Sequence, residues 1–248
     1  MRFKTFLTVR SNSKRLTNKA YMKFGEGSTI DHMIRRALNY GLEPIICTTT
    51  NPKDDEICNR AREYGVPYFR GPEENKLLRW FLCAEKFNLE CFHALDCDDL
   101  FFDGESVKKS YELLRSNNVV KPFKESAQGG GSVGYTIRTS VLNSETVKSD
   151  MKRKLDNFEG YIRNNIFEKV ITMETPAGDV INERLTLDFW TDYILLSVIQ
   201  IRLGSLATMK EIRELLDQEP WLKELNNLNK EGWKKNQEEE IVQQAKVS

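Results

Sequence analysis

The 248-residue chain lacks an excess of charge of either sign, because 37 Lys and Arg residues balance 37 Asp and Glu residues. A neutral chain has no overall field that favours polyanions, so we expect neither nucleic acid nor an anionic membrane as a partner. No apolar run approaches the roughly 18 residues of a membrane span, and the amino-terminal run is too short for a secretion signal. We therefore expect a cytoplasmic protein, and its 40% hydrophobic residues suffice for a large core.

Closely spaced metal-binding pairs of Cys or His are also missing. The chain has two histidines, His32 and His93, far apart in sequence, and its cysteines form no CxxC pair. This spacing disfavours a zinc site and predicts reduced thiols in the core. His93 lies within an apolar run, so we interpret it as a core histidine and not as a catalytic base. The five cysteines are Cys47, Cys58, Cys83, Cys91 and Cys97.

Short apolar runs alternate with segments of helical periodicity in the first half of the chain. The predicted strands are Phe3–Val9, Pro44–Thr49, Val66–Phe69 and Cys91–Asp96, and the predicted helices are Thr29–Asn39, Pro52–Tyr64, Glu73–Phe87 and Glu105–Arg115. This alternation predicts an α/β fold with a mixed, mostly parallel sheet and helices on both faces.

The second half of the chain is less regular. A glycine-rich bend at 128–132 precedes a predicted strand, Val133–Arg138, and Arg184–Asp188 is a further predicted strand that ends in an acid. The segments Trp190–Leu203 and Met209–Leu216 have the pattern of helices. We expect one α/β domain over 1–205, with a small lobe at about 140–180, and a helical tail over 206–248.

Basic residues collect directly after the first predicted strand. This cluster contains no acid and consists of Arg10, Lys14, Arg15, Lys19 and Lys23. In open α/β sheets ligands bind beyond the carboxyl ends of strands, where such a loop can offer cations and backbone N–H groups to a polyphosphate. The loop has neither a Walker A motif nor a dinucleotide-binding GxGxxG motif. Its composition is equally consistent with a phosphate-binding loop and with a solvated basic loop.

Acidic residues collect at the end of the fourth predicted strand. The cluster has no base and consists of Asp96, Asp98, Asp99, Asp103 and Glu105. We assign Asp103 and Glu105 to the amino terminus of the following helix, whose dipole favours acids. Asp96 and Asp98 form a D-x-D pattern at a strand end, which we interpret as a Mg²⁺ site, since Mg²⁺ is held by one or two carboxylates together with substrate phosphates.

The segment from Thr8 to Lys19, TVRSNSKRLTNK, resembles the first signature of the CMP-sugar cytidylyltransferases, A-R-x-x-S-x-R-L-P-x-K. This family includes the 3-deoxy-manno-octulosonate and acylneuraminate enzymes and a spore-coat polysaccharide branch. Further segments resemble the spore-coat branch. They are TTTNPKDDEI at 48–57, GVPYFRG at 65–71 with Arg79 following, Asp96-Cys97, and RLTLD at 184–188. Thr17 stands where the signature has Pro, and Asp98-Asp99 replaces its usual turn after the acid.

The resemblance implies a nucleotide-diphospho-sugar transferase type fold with CTP bound over the first loop. It implies catalytic roles for Arg15 and Lys19. It also implies that Asp96 and Asp188 hold Mg²⁺, and the D-x-D pattern adds Asp98 as a further metal ligand. The residues it implies for nucleotide binding are Arg10, Ser11, Asn12, Ser13, Arg70 and Arg79.

We therefore expect a magnesium-dependent cytidylyltransferase that couples CTP to a small acidic sugar, an ulosonate or nonulosonate, for surface polysaccharide synthesis. Two alternatives stay open at this point. The D-x-D pattern is also typical of a metal-dependent glycosyltransferase that uses a sugar nucleotide. Alternatively, the chain is a non-catalytic binding protein whose charge clusters are solvated surfaces. Residues 143–180 correspond to the region that members of the resembled family use as a dimer-forming arm, so we expect a homodimer. The apolar residues available there are Phe158, Tyr161, Ile162, Ile166 and Phe167.

Overall fold

The computed structural model describes residues 3–13, 15–123, 133–143, 145–148, 155–165, 167–175, 181, 183–225, 227, 229, 232, 235 and 238–239. The strands in this part of the chain are β1 (Thr5–Thr8), β2 (Lys23–Phe24), β3 (Gly27–Ser28), β4 (Pro44–Thr49), β5 (Tyr68–Gly71), β6 (Cys91–Asp96), β7 (Val119–Lys121), β8 (Tyr135–Arg138) and β9 (Val170–Thr172). The α-helices are α1 (Thr29–Asn39), α2 (Asp55–Glu63), α3 (Lys76–Lys86), α4 (Gly104–Leu114), α5 (Glu145–Lys148), α6 (Phe158–Asn164), α7 (Trp190–Leu203), α8 (Met209–Gln218) and α9 (Trp221–Glu224).

Seven of these strands form one sheet in the order β5-β4-β1-β6-β8-β7-β9. Strands β5, β4, β1 and β6 are parallel, whereas β8 runs antiparallel to both of its neighbours. The expected mixed, mostly parallel α/β sheet is confirmed. Because the four parallel strands end at one edge, the loops after β1, β4, β5 and β6 lie side by side there.

Helix starts in this fold follow the capping residues that the sequence provides. The Ser28 hydroxyl accepts from Asp31 N in a capping box at α1, and the Asn75 side chain accepts from Leu78 N at α3. Asp103 caps α4 by accepting from Glu105 N and Ser106 N, which confirms its predicted place at a helix amino terminus. Side-chain acceptors at these positions satisfy backbone donors that have no partner within the helix.

The sheet separates two hydrophobic clusters. Adjacent residues of a strand face opposite sides, and accordingly Phe6 packs in the cluster with α3, α5 and α6, whereas Leu7 packs in the cluster with α1, α4, α7 and α8. His93 is fully buried, and its Nδ1 lies 2.8 Å from the Thr136 hydroxyl. The prediction of a core histidine is therefore confirmed. All five cysteines are free thiols, four of them buried.

Arg36 is buried in α1 and joins two distant parts of the chain. Its guanidinium donates to the carbonyls of Phe102 (2.9 Å), Ser205 (2.6 Å) and Ala207 (2.9 Å). It thereby fixes the end of the acidic loop after β6 against the connection between α7 and α8. Helix α8 contributes buried side chains to the same core as α1, so the beginning of the predicted tail is packed against the α/β domain.

One predicted element is wrong. Arg184–Asp188 is an irregular segment and not a strand, because its backbone donors pair outside any strand ladder. Leu187 N donates to the carbonyl of Asp98 at 2.9 Å, and Asp188 N donates to the Asp192 carboxylate at 2.9 Å. The alternating Leu185 and Leu187 are buried, as a strand would bury them, although the segment joins no sheet. The glycine-rich bend at 128–132 and most of the tail after 225 lie outside the described residues.

No helix in the described ranges is long and apolar enough to cross a membrane.

Candidate active site

Two strand ends bring the predicted basic and acidic clusters together. Strand β1 lies between β4 and β6, and Thr8 at its carboxyl end is in register with Asp96 at the end of β6. The basic loop after β1 and the acidic loop after β6 therefore leave the sheet next to each other. Lys14 of the basic cluster lies outside the described residues.

Lys19 lies at the centre of a cluster of opposite charges. Its Nζ is 2.8 Å from Asp98 Oδ2, 3.1 Å from Asp188 Oδ1 and 2.8 Å from the carbonyl of Leu187. Burial alone would lower the pKa of Lys19, but the charges of Asp98 and Asp188 outweigh it and raise this pKa above its ordinary value. Lys19 is therefore a permanent cation held between two carboxylates.

Asp188 is almost completely buried and is surrounded by cations. Its carboxylate lies 2.9 Å from an Arg15 guanidinium nitrogen and 3.5 Å from one of Arg184, in addition to its contact with Lys19. Burial would raise the pKa of Asp188, but Lys19, Arg15 and Arg184 together keep it below its ordinary value. The site thus holds a charged carboxylate against the two residues predicted to be catalytic.

The backbone of the same segment is fixed by Asp192. Its carboxylate accepts from the N–H groups of Asp188 and Phe189, both at 2.9 Å, and it forms a buried ion pair with Arg184. Arg184 and Asp192 therefore hold Asp188 in place. The sequence signal for this pair was the late R-L-T-L-D segment with an acid four residues beyond it.

The two acids of the D-x-D pattern point to different partners. Asp98 contacts Lys19, whereas both Asp96 oxygens lie 3.2–3.3 Å from Nζ of Lys76 at the start of α3. The neighbouring Asp99 is buried and accepts from the Thr186 hydroxyl at 2.9 Å. Its burial, together with the charges of Asp98 and Asp96, raises the pKa of Asp99 well above its ordinary value.

Two carboxylates of the site offer the oxygen ligands that a magnesium ion prefers. Among the described residues no group of three or more His, Cys, Asp or Glu side chains lies close enough to hold a metal alone. Asp98 and Asp188 nevertheless present oxygens to one point, the Lys19 ammonium. Two carboxylates completed by substrate phosphates and water are a usual set for Mg²⁺, so the residues present fit this ion.

The first loop is anchored by a residue that sequence reasoning missed. Asp54 is buried and accepts from Ser11 N at 2.8 Å and from the Ser11 hydroxyl at 2.6 Å. Its other oxygen accepts from the hydroxyls of Thr48, at 3.1 Å, and Thr49. Burial would raise the pKa of Asp54, but the hydrogen bonds from Ser11, Thr49 and Thr48 lower it overall. Asp54 therefore ties the basic loop to the end of β4.

A second group of predicted residues surrounds the loop after β5. Arg79 is buried and donates to the carbonyl of Pro72 at 2.6 Å, and Arg10 donates to the carbonyl of Glu73 at 3.3 Å. Arg70 donates to the carbonyls of Thr49 and Asn51. In this arrangement Arg70 and Arg79 position loops at the strand ends, and their contact with a nucleotide stays a prediction.

Ser13 and Asn12 complete the set predicted from sequence. Ser13 N donates to the Ser11 carbonyl at 2.9 Å in a tight turn, and the Asn12 amide is exposed and donates to a Glu73 carboxylate oxygen. The structure thus brings Arg15, Lys19, Asp98 and Asp188 into one cluster. It places Asn12 and Arg10 in a neighbouring group around Glu73.

The mixed, mostly parallel sheet carries cationic and acidic loops at one edge, as expected for an α/β protein with a ligand site at its strand ends. Residues 7–168 match the sequence profile of the family described as cytidylyltransferase, so the chain belongs to this family. This membership supports an enzyme over a non-catalytic binding protein and a cytidylyltransferase over a glycosyltransferase.

Comparison with individual proteins shows one relative in sequence and proteins of similar fold. The chain is 27% identical over 230 residues to protein MJ1063 of Methanocaldococcus jannaschii, covering 89% of this chain and 93% of that one. A cytidylyltransferase from Leptospira borgpetersenii superposes with a TM-score of 0.77 at 20% identity, covering 90% and 97% of the two chains. A CMP-2-keto-3-deoxy-manno-octonic acid synthetase complexed with CTP has a TM-score of 0.58 at 13% identity, with 82% and 99% covered. The two structures confirm the predicted fold.

Proposed function

We propose that the chain transfers CMP from CTP to a hydroxyl group of a small acidic sugar and releases pyrophosphate. The observation that carries this proposal is the placement of Arg15 and Lys19, which the family resemblance associates with the triphosphate, at the strand edge where Asp98 and Asp188 converge. The CTP complex of the synthetase described above supports the choice of nucleotide.

The reaction forms one bond and breaks another at the α-phosphorus. The acceptor oxygen bonds to this phosphorus, the bond from the phosphorus to the bridging oxygen of the β-phosphate breaks, and the hydroxyl proton leaves to solvent. Negative charge increases on the phosphate oxygens and on the leaving pyrophosphate. Cations fixed before the reaction stabilise such charge at little reorganisation cost.

Arg15 and Lys19 are the cations that the structure offers for this task. Arg15 pairs with Asp188, and Lys19 pairs with Asp98 and Asp188, so a triphosphate that binds here exchanges protein carboxylates for phosphate oxygens. Magnesium, when bound by Asp98 and Asp188, would neutralise phosphate charge and favour an in-line arrangement. Asp96 faces the same edge and is half-exposed, which leaves it available as the third predicted ligand.

The experiment for this proposal measures pyrophosphate release from CTP and Mg²⁺ with a panel of acceptors. The panel contains an ulosonate, a nonulosonate and neutral hexoses of similar size, and ³¹P NMR identifies the phosphodiester product. We expect release with an acidic sugar and none with the neutral sugars. Equal release with neutral sugars would contradict the acceptor class, and transfer from a UDP-sugar without reaction of CTP would contradict the function.

The proposed homodimer rests on the apolar residues of the segment 143–180. Of the apolar residues assigned to its arm, Phe158 and Tyr161 are buried in the chain's own core, whereas Ile162 and Phe167 are partly buried at its margin. Ile166 lies outside the described residues. A dimer therefore stays a prediction, and a light-scattering mass close to a single 28.8 kDa chain would contradict it.

A further inference from the structure

The Glu73 carboxylate lies where three loops of the strand edge meet. Glu73 belongs to the loop after β5, Asn12 to the loop after β1, and Asn51 to the loop after β4. Asn12 Nδ2 lies 3.3 Å from Glu73 Oε1, and Asn51 Nδ2 lies 3.0 Å from Glu73 Oε2. Each carboxylate oxygen thus has one amide donor, and the side chain is only partly buried.

The orientation of this group is determined by its surroundings. Asn51 Oδ1 accepts from Lys53 N at 3.0 Å, which leaves its Nδ2 facing Glu73. The Glu73 carbonyl accepts from Arg79 and Arg10, both at 3.3 Å. Its backbone and one of its donors are therefore held by other residues of the protein, as a residue that determines specificity requires.

A carboxylate has about four acceptor positions, and two of them at Glu73 are used by the amides. Because Glu73 is only partly buried and Asn12 is exposed, the remaining acceptor positions can be reached by a ligand. A group that binds here needs to donate a hydrogen bond to Glu73. The exposed Asn12 amide has a second N–H that can donate to the atom beside that group.

An acceptor at Glu73 beside a donor at Asn12 matches the hydrogen-bonding edge of a base that carries an exocyclic amine. Cytosine presents an exocyclic amine, a donor, next to a ring nitrogen that accepts. Uracil presents a carbonyl oxygen next to a ring N–H, which is the reverse order. Carboxylate acceptors are a known match for the cytosine amine. Adenine shares the amino pattern, so the pairing separates amino bases from oxo bases, and CTP and UTP are the size-matched test pair.

We infer that Glu73 and Asn12 determine base specificity, with Glu73 accepting from the cytosine amine and Asn12 donating to the adjacent ring nitrogen. The inference rests on the proposed function and adds to it the residues that select CTP over UTP. Lys19 and Arg15 bind the phosphates that all nucleotides share, so selection needs a separate group. Glu73, whose carboxylate contacts Asn12 and Asn51, supplies that group.

The test is a calorimetric measurement of the ratio of the CTP and UTP dissociation constants, with Mg²⁺ present. We expect the wild type to prefer CTP by about 10- to 100-fold, the discrimination of one polar base contact pair. Glu73→Gln should reduce the ratio to near one, because a glutamine amide can accept from cytosine or donate to uracil. Glu74→Gln is the matched control, since Glu74 is the exposed neighbour, and it should keep the wild-type ratio.

A second variant keeps the test decisive if Glu73→Gln does not fold. Asn12 is exposed, and Asn12→Asp replaces the donor by an acceptor that suits the uracil ring N–H, so this variant should shift the preference toward UTP. An unchanged CTP preference in Glu73→Gln, or in Asn12→Asp, would overturn the inference and leave the proposed function intact. A wild type that binds no nucleoside triphosphate would overturn the proposed function itself.

Discussion

Lys19 and Asp188 form an ion pair of 3.1 Å across 169 positions of the sequence. Asp98 contacts the same ammonium group at 2.8 Å. The residue that resembles the triphosphate-binding lysine of cytidylyltransferases is therefore paired with two carboxylates of the protein itself. A phosphate group has to compete with these carboxylates for Lys19. Nucleotide affinity therefore depends on the charges of Asp98 and Asp188.

Asp188→Asn removes one of those competing charges. We expect this variant to bind CTP about tenfold more tightly than wild type when Mg²⁺ is absent, since about 1.4 kcal/mol of competition corresponds to that factor. We also expect the gain in affinity on adding Mg²⁺ to be lost. Calorimetry with EDTA and then with Mg²⁺ measures both effects. An unchanged affinity in EDTA would show that Asp188 does not compete for Arg15 and Lys19.

Asp54→Asn tests the anchoring of the first loop. The variant loses charge-assisted hydrogen bonds to Ser11 and Thr49, and we expect a decrease of about 1–3 kcal/mol in the free energy of unfolding at pH 7. Urea unfolding followed by circular dichroism measures this value. Glu63→Gln, an exposed acid at the end of α2, is the control and should change stability by less than about 0.5 kcal/mol.

The same variant has a defined pH dependence. The pKa of Asp54 is lower in the folded protein than its ordinary value of 3.8. Its contribution to stability is therefore present above the unfolded pKa and is lost as the pH falls through the folded pKa. We expect the stability difference between wild type and Asp54→Asn to be constant from pH 7 to pH 5 and to shrink below about pH 4. A difference that grows on acidification would contradict the lowered pKa.

Arg36→Met tests the junction between α1 and the carboxyl-terminal helices. The substitution keeps an apolar stem but leaves the carbonyls of Phe102, Ser205 and Ala207 without their buried donor. We expect a loss of at least about 3 kcal/mol in the free energy of unfolding, because each buried carbonyl left without its donor costs about 1–3 kcal/mol. Arg35→Met, one position earlier on the same helix and less buried, should cost less than about 1 kcal/mol. Equal losses in the two variants would contradict the assigned role of Arg36.

The sequence predicted the bounds of those strands and helices whose ends are marked by a clear change in residue pattern. Strands Pro44–Thr49 and Cys91–Asp96 and helices Thr29–Asn39 and Trp190–Leu203 have the predicted bounds. Short apolar runs and well-capped periodic segments need little information from the rest of the chain. Strands β7 and β9 were not predicted, because three-residue strands such as Val119–Lys121 depend on pairing across the sheet.

The error at Arg184–Asp188 has a different cause. Alternating burial of Leu185 and Leu187 is typical of a strand, but it arises equally in an irregular segment packed against a loop, and Leu187 N donates to the carbonyl of Asp98 at 2.9 Å. The charge clusters indicated where a ligand would bind. Which cation meets which carboxylate depends on the fold bringing Lys19, Asp98 and Asp188 together, and no local pattern contains that information.

CTP binding to Lys19→Met is the most direct test of the central claim that this cluster is the triphosphate site. Calorimetry compares wild type, Lys19→Met and the exposed control Lys108→Met, each with Mg²⁺ and with CTP or a UDP-sugar. We expect wild type and Lys108→Met to bind CTP equally, and Lys19→Met to bind it at least about tenfold more weakly, because a charge-assisted contact worth about 1.5–3 kcal/mol is lost. Equal CTP affinity in wild type and Lys19→Met, or binding of the UDP-sugar without binding of CTP, would contradict the account.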